Sequence, residues 1–320
     1  MIQLIPHNLN IDFLKISKPF VIGSTIAVIL SIIGVFTVGL NYGIDFTGGA
    51  EVQVHVAQGW DIGKVRSELR AGGLDEAAVI QIGDTKDQEF LVKLQTKPEQ
   101  IKGISEKIES ILKPKMDNFS VSRVDVVGPQ AGEELRMSAI MSVLSAAIGI
   151  LIYITIRFDI RFAPGLVRAL LFDVILTLGI WIVIRKEFNL STVAALLTIA
   201  GYSCNDTIVI YDRIRDFTKT HPNMSLYDVV NRSINLNLGR TVLTVLCTCF
   251  VVVSLWLLGG PVIGDFAFCM LIGFAISILS TIFVANPMVV YMEKRVHAKE
   301  AVKAATKAKD AKKELKPAKA

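Results

Sequence analysis

Cysteine is scarce in this sequence of 320 residues, which contains only 4. All of them lie in apolar stretches, at Cys204, Cys247, Cys249 and Cys269, so a disulfide-stapled secreted domain is excluded. Within an apolar segment, the alternative to simple packing of these side chains is metal binding by Cys247 and Cys249. Residues two apart on a helix point to different faces, however, and no histidine is near. We therefore expect all four cysteines to pack against neighbouring helices, and we predict no metal site and no bound cofactor.

Charge is absent from five long windows, although the chain holds 34 Lys+Arg and 29 Asp+Glu. Uncharged apolar runs of about 18 residues or more are long enough to cross a bilayer as helices. This distribution excludes a soluble enzyme and a disordered chain. The first window is too long for the apolar core of a cleaved signal peptide, which spans about 7–15 residues, so we expect it to stay in the membrane. The windows are Pro19–Ile44, Met137–Ile156, Phe188–Asn205, Thr241–Gly264 and Phe266–Met292.

A further apolar segment, Pro164–Ile184, carries Asp173 and brings the count to six transmembrane helices. Lys and Arg near the ends of the segments predict that both termini are cytoplasmic. The chain is thus interpreted as a multi-pass α-helical membrane protein with one external domain. The predicted boundaries are 1–18 for the cytoplasmic N-terminus, 19–44 for helix one, 45–136 for the external (periplasmic) domain, 137–292 for helices two to six, and 293–320 for a Lys-rich cytoplasmic tail.

The segment between the first two windows has the alternation of an α+β domain. Alternating and helical patterns predict the order β-α-β-β-α-β, which is that of a ferredoxin-like unit. Acidic residues outnumber basic ones in this segment, which argues against nucleic-acid binding. Its one histidine, His55, lies in a strand and is expected to be structural. The predicted elements are Glu51–Ala57, Asp61–Ala71, Ala77–Ile82, Glu89–Leu94, Pro98–Leu112 and Phe119–Val127.

Ionisable residues inside membrane segments are costly and mark functional sites. Asp173 has apolar neighbours on both sides, and a structural hydrogen bond is its alternative role. Asp206 and Arg240 are expected in the same cytoplasmic third of the bilayer, where they could pair. The alternatives are a surface position for Asp206 and an interfacial anchor for Arg240. A carboxylate in such surroundings can bind and release a proton near neutral pH, so these three residues are the predicted proton pathway.

Four segments resemble motifs of the SecF family of protein-export membrane subunits, within the resistance-nodulation-division superfamily. They are NYGIDFTGGA at 41–50, VGPQAGEEL at 127–135, GYSCNDTIVIYDRIR at 201–215 and GRT at 239–241. The resemblance implies that Asp206, Arg240 and Asp173 match the family's proton pathway. Phe172 stands where many relatives have a histidine. The motif residues implied in structural coupling are Asp45, Phe46, Thr47, Gly48, Gly49, Gly128, Pro129, Asn205, Asp212 and Arg213.

This resemblance implies a function in Sec-dependent export. The chain would work with SecD beside the SecYEG translocon, together with YajC and YidC, in the bacterial inner membrane. Protons would be the coupling ion and an unfolded exported polypeptide the substrate. No enzymatic activity is implied.

Three other functions compete with this one. A proton-driven small-molecule exporter of the same superfamily would need a second six-helix half and larger external domains. A non-transporting translocon scaffold would have no use for costly buried charges. A membrane enzyme would need a nucleophile–base pair or a metal set, which the sequence does not offer.

Overall fold

The computed structural model describes residues 10–75, 77–82, 88–94, 103–116, 118–158 and 162–295. Six of its helices are long and apolar enough to cross a membrane. The predicted tail beyond residue 295 and the first nine residues lie outside the described part. In chain order the helices are α1 (Phe13–Thr37), α2 (Ile44–Thr47), α3 (Ile62–Ala71), α4 (Ile104–Leu112), α5 (Pro129–Arg157), α6 (Ala163–Ile184), α7 (Leu190–Thr220), α8 (Leu226–Leu258) and α9 (Gly260–Ser280).

The first long helix does not coincide with the predicted window 19–44. It begins at Phe13, because Asp12 caps its first turn by accepting a hydrogen bond from the Lys15 N–H at 3.0 Å. It ends at Thr37, and Gly39 then adopts a left-handed φ of 73°. The absence of charge marks the apolar segment, whereas the caps set the ends of the helix.

Two helices, α7 and α9, form the centre of the helical part and are mostly buried there. By contrast, α1, α5 and α8 expose most of their apolar side chains. A helix with an apolar outer face is suited to contact with lipid or with other membrane helices. The helical part therefore has a packed centre and an apolar outer surface.

The last long helix changes its winding near its middle. After α9 the chain makes a π-helical turn at Thr281–Ala285 and continues as a helix to residue 295. Asn286 Nδ2 donates to the Thr281 carbonyl at 2.7 Å, which satisfies a backbone group that the wider turn frees. Such turns are rare and occur frequently at functional sites.

The α+β domain lies between α1 and α5 in sequence. Its strands are β2 (Gly49–His55), β3 (Ala78–Ile82), β4 (Glu89–Leu94) and β5 (Ser120–Val127), in the sheet order β3-β4-β2-β5 with every neighbour antiparallel. Alternating side chains of β2 and β4 are buried beneath α3 and α4. The element order β-α-β-β-α-β is as predicted. The start of the predicted Pro98–Leu112 helix and most of the turn before β4 lie outside the described residues.

A separate two-stranded pair ties this domain to the helical part. Strand β1 (Asn41–Tyr42) pairs in parallel with β6 (Glu187–Phe188), which lies between α6 and α7. The Gly43 N–H extends the pairing by donating to the Phe188 carbonyl at 2.9 Å. The turn between α6 and α7 is thus in direct contact with the segment that leads into the α+β domain.

Candidate functional site

Asp173 lies on α6 and is fully buried, with 0% of its surface exposed. Ser203 on α7 donates its hydroxyl hydrogen bond to Asp173 Oδ2. Ser280, at the end of α9, also lies beside the carboxylate. Among the described residues no donor reaches Asp173 Oδ1, although that oxygen is buried. Three central helices therefore meet at one carboxylate that is only partly satisfied.

Asp206 follows Ser203 by about one turn on α7 and is 8% exposed. The adjacent hydroxyl, Thr207 Oγ1, lies 3.1 Å from Thr281 Oγ1 in the π-helical turn. Asn286 follows that turn, and its Oδ1 is another buried oxygen without a partner in the described part of the chain. We call the buried polar residues of α6, α7 and the end of α9 the polar seam: Asp173, Ser203, Asp206, Thr207, Ser280, Thr281 and Asn286.

Arg240 does not lie where direct pairing would require it. Its side chain is exposed on α8, and across the described ranges no ion pair joins it to Asp206. It still attracts the Asp206 carboxylate through space. Within the motif at 201–215, Gly201 and Asn205 are exposed, whereas Asp206 is buried.

Several polar groups of the membrane-spanning helices were not singled out from the sequence. Arg168, also on α6, is a second charge in the third span, and its guanidinium donates to Thr25 Oγ1 of α1 at 3.2 Å. The hydroxyls of Ser203, Thr207 and Thr281 gave no signal, since Ser and Thr are common in membrane helices and usually bond to their own backbone. The change of helical winding before Asn286 gave none either.

The motif at 45–49 forms a joint between the α+β domain and the helices. Asp45 Oδ2 accepts a hydrogen bond from the Leu190 N–H at 2.8 Å, the first backbone donor of α7, whose N-cap is Asn189. Phe46 is buried and stacks on Phe188 with 5.7 Å between ring centroids. Thr47 Oγ1 donates to the Gly43 carbonyl at 3.1 Å. The motif therefore contacts the start of α7, the helix that carries Asp206.

The two glycines of this motif are required by the backbone. Gly48 and Gly49 have φ values of 74° and 147°, which side-chain-bearing residues rarely adopt. Gly132 on α5 packs so closely that an added Cβ would lie 3.0 Å from the Gly48 nitrogen. The paired glycines thus allow a sharp bend pressed against the second long helix.

The remaining motif residues lie at helix ends or on helix surfaces. Gly128 precedes α5 in extended conformation, and Pro129 is the first residue of that helix, a position that favours proline. Asp212 pairs with Arg157 at 3.5 Å, and Arg213 lies 5.0 Å from the ring centre of Phe217. None of these contacts belongs to the polar seam.

Lys93 links the α+β domain to the α6–α7 turn and was not singled out from the sequence. Its ammonium lies 3.0 Å from Glu51 on the neighbouring strand and also pairs with Glu187 in the turn. Burial lowers the pKa of Lys93, but the two carboxylates outweigh it and hold the pKa above the usual 10.5. Burial raises the pKa of Glu51 above 4.5 against the attraction of Lys93. Within the described residues no group of three His, Cys, Asp or Glu side chains could hold a metal ion.

These features define the class of protein to which the chain belongs. The molecule is a multi-pass helical membrane protein with an α+β domain joined between its first two long helices and carboxylates buried on its central ones. Comparison with known proteins specifies the class further. The model of the "Protein export membrane protein SecD/SecF, C-terminal" family matches residues 107–295, and that of the "SecD/SecF GG Motif" matches residues 33–59.

Individual relatives agree with these matches. The chain is 42% identical to the protein translocase subunit SecF of Calditerrivibrio nitroreducens, over 90% of this chain and 96% of that protein. It is 40% identical to the SecF of Magnetococcus marinus, over 89% and 92% of the two chains. The chain therefore belongs to the SecF family, within the SecD/SecF group of protein export membrane proteins.

Solved structures show the same fold. A crystal structure of SecDF from Thermus thermophilus, described as a translocon-associated membrane protein, matches with a TM-score of 0.78 and 34% identity, over 90% of this chain. A SecDF structure in a super-membrane-facing form matches with a TM-score of 0.69 and 35% identity, over 95% of this chain. This chain spans 39% and 41% of those two SecDF chains, respectively.

Proposed function

We propose that this protein is an accessory subunit of the Sec export machinery that uses the proton gradient, together with a SecD subunit, to drive late translocation of polypeptides. The observation that carries this proposal is the burial of Asp173 and Asp206 in one polar seam between central helices. Ionisable groups at such positions mark proton pathways in transport proteins. The relationship to translocase subunits names the process in which the pathway would act.

The partners follow from the relatives and from the surface. Because this chain spans about two fifths of SecDF (39%), a SecD-like subunit would supply the rest of the assembly. The exposed apolar side chains of α1, α5 and α8 offer it helix-packing surface. The SecYEG translocon, YajC, YidC and the unfolded exported polypeptide are the further proposed partners.

The proposed placement is the bacterial inner membrane with both termini in the cytoplasm. Its support is the excess of Lys and Arg at the ends assigned to that side. The domain at 45–136 would then lie outside, together with the α6–α7 turn that it contacts. Its antiparallel order β3-β4-β2-β5, with α3 and α4 on one face, supports assignment to the ferredoxin-like class.

The proposed mechanism begins at Asp206. Protonation would remove its negative charge and with it the attraction to Arg240, so that α7 and α8 could repack. Asp173, bound to Ser203 about one turn away, would respond to the same movement of α7. Asp45 accepts a hydrogen bond at the other end of that helix, so the motif at 45–49 would pass the movement to the external domain.

The replacement Asp206→Asn tests this mechanism, because it keeps the shape of the side chain and removes the proton site. In inverted membrane vesicles we expect export to lose its stimulation by the proton gradient, while the variant still copurifies with its SecD-like partner. Asp216→Asn is the matched control, since Asp216 is an exposed aspartate on the same helix. Undiminished stimulation in the Asp206→Asn vesicles would refute the proton relay.

A further inference from the structure

The open face of the sheet carries an ion cluster that reaches out of the α+β domain. Lys93 on β4 lies directly across from Glu51 on β2, on the face opposite α3 and α4. Glu187 completes the cluster from the turn between α6 and α7. The side chains of Lys93 and Glu51 are each 15% exposed and that of Glu187 is 25% exposed. The three charges are thus largely shielded from water.

The turn that Glu187 occupies is held firmly from the helical side. Trp181 Nε1 donates to the Glu187 carbonyl at 3.0 Å. Lys186 pairs with Asp265 of α9, and its ammonium lies 5.1 Å from the ring centre of Phe268. A displacement of Glu187 would therefore be felt by α6, α7 and α9 together, and these are the elements that form the polar seam.

Among the described residues, the other ion pairs of the domain do not reach the membrane-spanning helices. Lys113 pairs with Glu109, Lys115 with Glu68, and Arg123 with Asp125, all between residues of the domain itself. Their side chains are also more exposed, and exposed pairs contribute little. A shielded pair behaves differently, because removal of one partner leaves a charge without compensation. In the described part of the chain, Lys93 makes the one ion pair between the domain and the α6–α7 turn.

We propose that Lys93 is a positioning residue that couples the external domain to the proton-binding helices. Through Glu187 it keeps the sheet in register with the α6–α7 turn, so that a shift of α6 and α7 is transmitted to the domain as a whole. The joint at 45–49 acts on the linker, whereas Lys93 acts on the sheet. This inference rests on the proposed proton-driven function and adds a second mechanical link to it.

Charge exchange tests the coupling. In the full complex, Lys93→Glu and Glu187→Lys are each expected to abolish the gradient-stimulated part of export, with gradient-independent export and the amount of assembled complex unchanged. The double exchange restores opposite charges at positions 93 and 187 but leaves a carboxylate facing Glu51, so it should recover stimulation in part. The matched control is the exchange of Lys115 and Glu68, a pair confined to the domain, which should leave stimulation intact in its single and double forms.

A second variant keeps the test decisive if the charge-exchanged proteins do not fold or accumulate. Lys93→Met keeps the apolar stem and removes only the charge, and it should also lose gradient stimulation. Full stimulation in Lys93→Met would overturn the inference. If Asp206→Asn still loses stimulation in the same vesicles, only the coupling role fails. If Asp206→Asn keeps it, the proposed function itself fails.

Discussion

At the scale of single residues, Asp45 shows how one side chain joins two parts of the molecule. It lies in the linker to the α+β domain, yet its carboxylate accepts a hydrogen bond from the first backbone N–H of α7. Phe46 beside it is buried against Phe188, in the turn that precedes α7. The start of α7 is thus held by a residue distant in sequence, in addition to its own N-cap, Asn189.

The hydrogen bond between Asp45 and the Leu190 N–H predicts a measurable effect on stability. Asp45→Ala should destabilise the protein by about 1 kcal/mol, as loss of one hydrogen bond usually does. Asp45→Asn should retain most of the stability, because the amide oxygen can still accept the bond. Denaturant unfolding of the purified protein measures both. Asp75→Ala, at an exposed aspartate of the same domain, is the control. Equal stability of Asp45→Ala and the parent chain would show that this hydrogen bond does not stabilise the fold.

The sequence predicted single residues best where the argument concerned the free-energy cost of placing an ionisable group inside the membrane. Asp173 has apolar neighbours along the chain, so its burial could be predicted. The exposure of Arg240 could not, because it depends on the direction in which α8 faces. The ion pair between Lys93 and Glu187 could not be predicted either, since β4 and the α6–α7 turn meet only in the folded chain. Hydroxyls such as Ser203 look the same in sequence whether they bond to their own helix or to a buried carboxylate.

At the scale of elements, close contact between α1 and α6 depends on a glycine. A Cβ added to Gly179 would lie 2.0 Å from Ser31 Oγ and 3.2 Å from the Ser31 Cα. The obstacle includes backbone, so it cannot be relieved by rotation of a side chain alone. Small residues at such points let membrane helices pack closely.

Gly179→Val should therefore push α1 and α6 apart. We expect a destabilisation of roughly 1–3 kcal/mol, the usual range for overpacking. Gly149→Val is the control, because a Cβ at that glycine of α5 meets nothing within 4 Å. Thermal unfolding in detergent compares the two variants. If Gly179→Val unfolds at the same temperature as Gly149→Val, close packing of α1 against α6 at Gly179 does not contribute measurably to stability.

Element prediction succeeded where periodicity is local. Alternation identified β2 and helical spacing identified α4, because both patterns come from burial of one face. The ends of α3 were marked by Asp61 and by the glycine pair that follows the helix, and β4 by the polar turn before it. The pairing of β1 with β6 was not predictable, since two-residue strands have no period. The start of α1 at Phe13 was also missed, because its N-cap, Asp12, lies outside the charge-free window from which the helix was predicted.

At the scale of the whole molecule, the distribution of charge describes both topology and mechanism. Charge is excluded from the long apolar windows and concentrated in the α+β domain and the connecting segments. The exceptions within the spans include Asp173 and Asp206, and the structure brings both into one polar seam beside α9. The domain meets the same helices at their other ends, through the motif at 45–49 and through Lys93. The account's central claim is that proton binding at the seam drives work in the domain.

The most direct test of that claim is a measurement of proton flux. The protein and its SecD-like partner are reconstituted in vesicles that contain a pH-sensitive dye, and flux is driven by an imposed gradient. We predict flux through the parent complex and its loss in Asp206→Asn, with the Asp216→Asn complex behaving like the parent. Equal flux through the parent and Asp206→Asn complexes would contradict the account, because protons would then cross without the buried carboxylate.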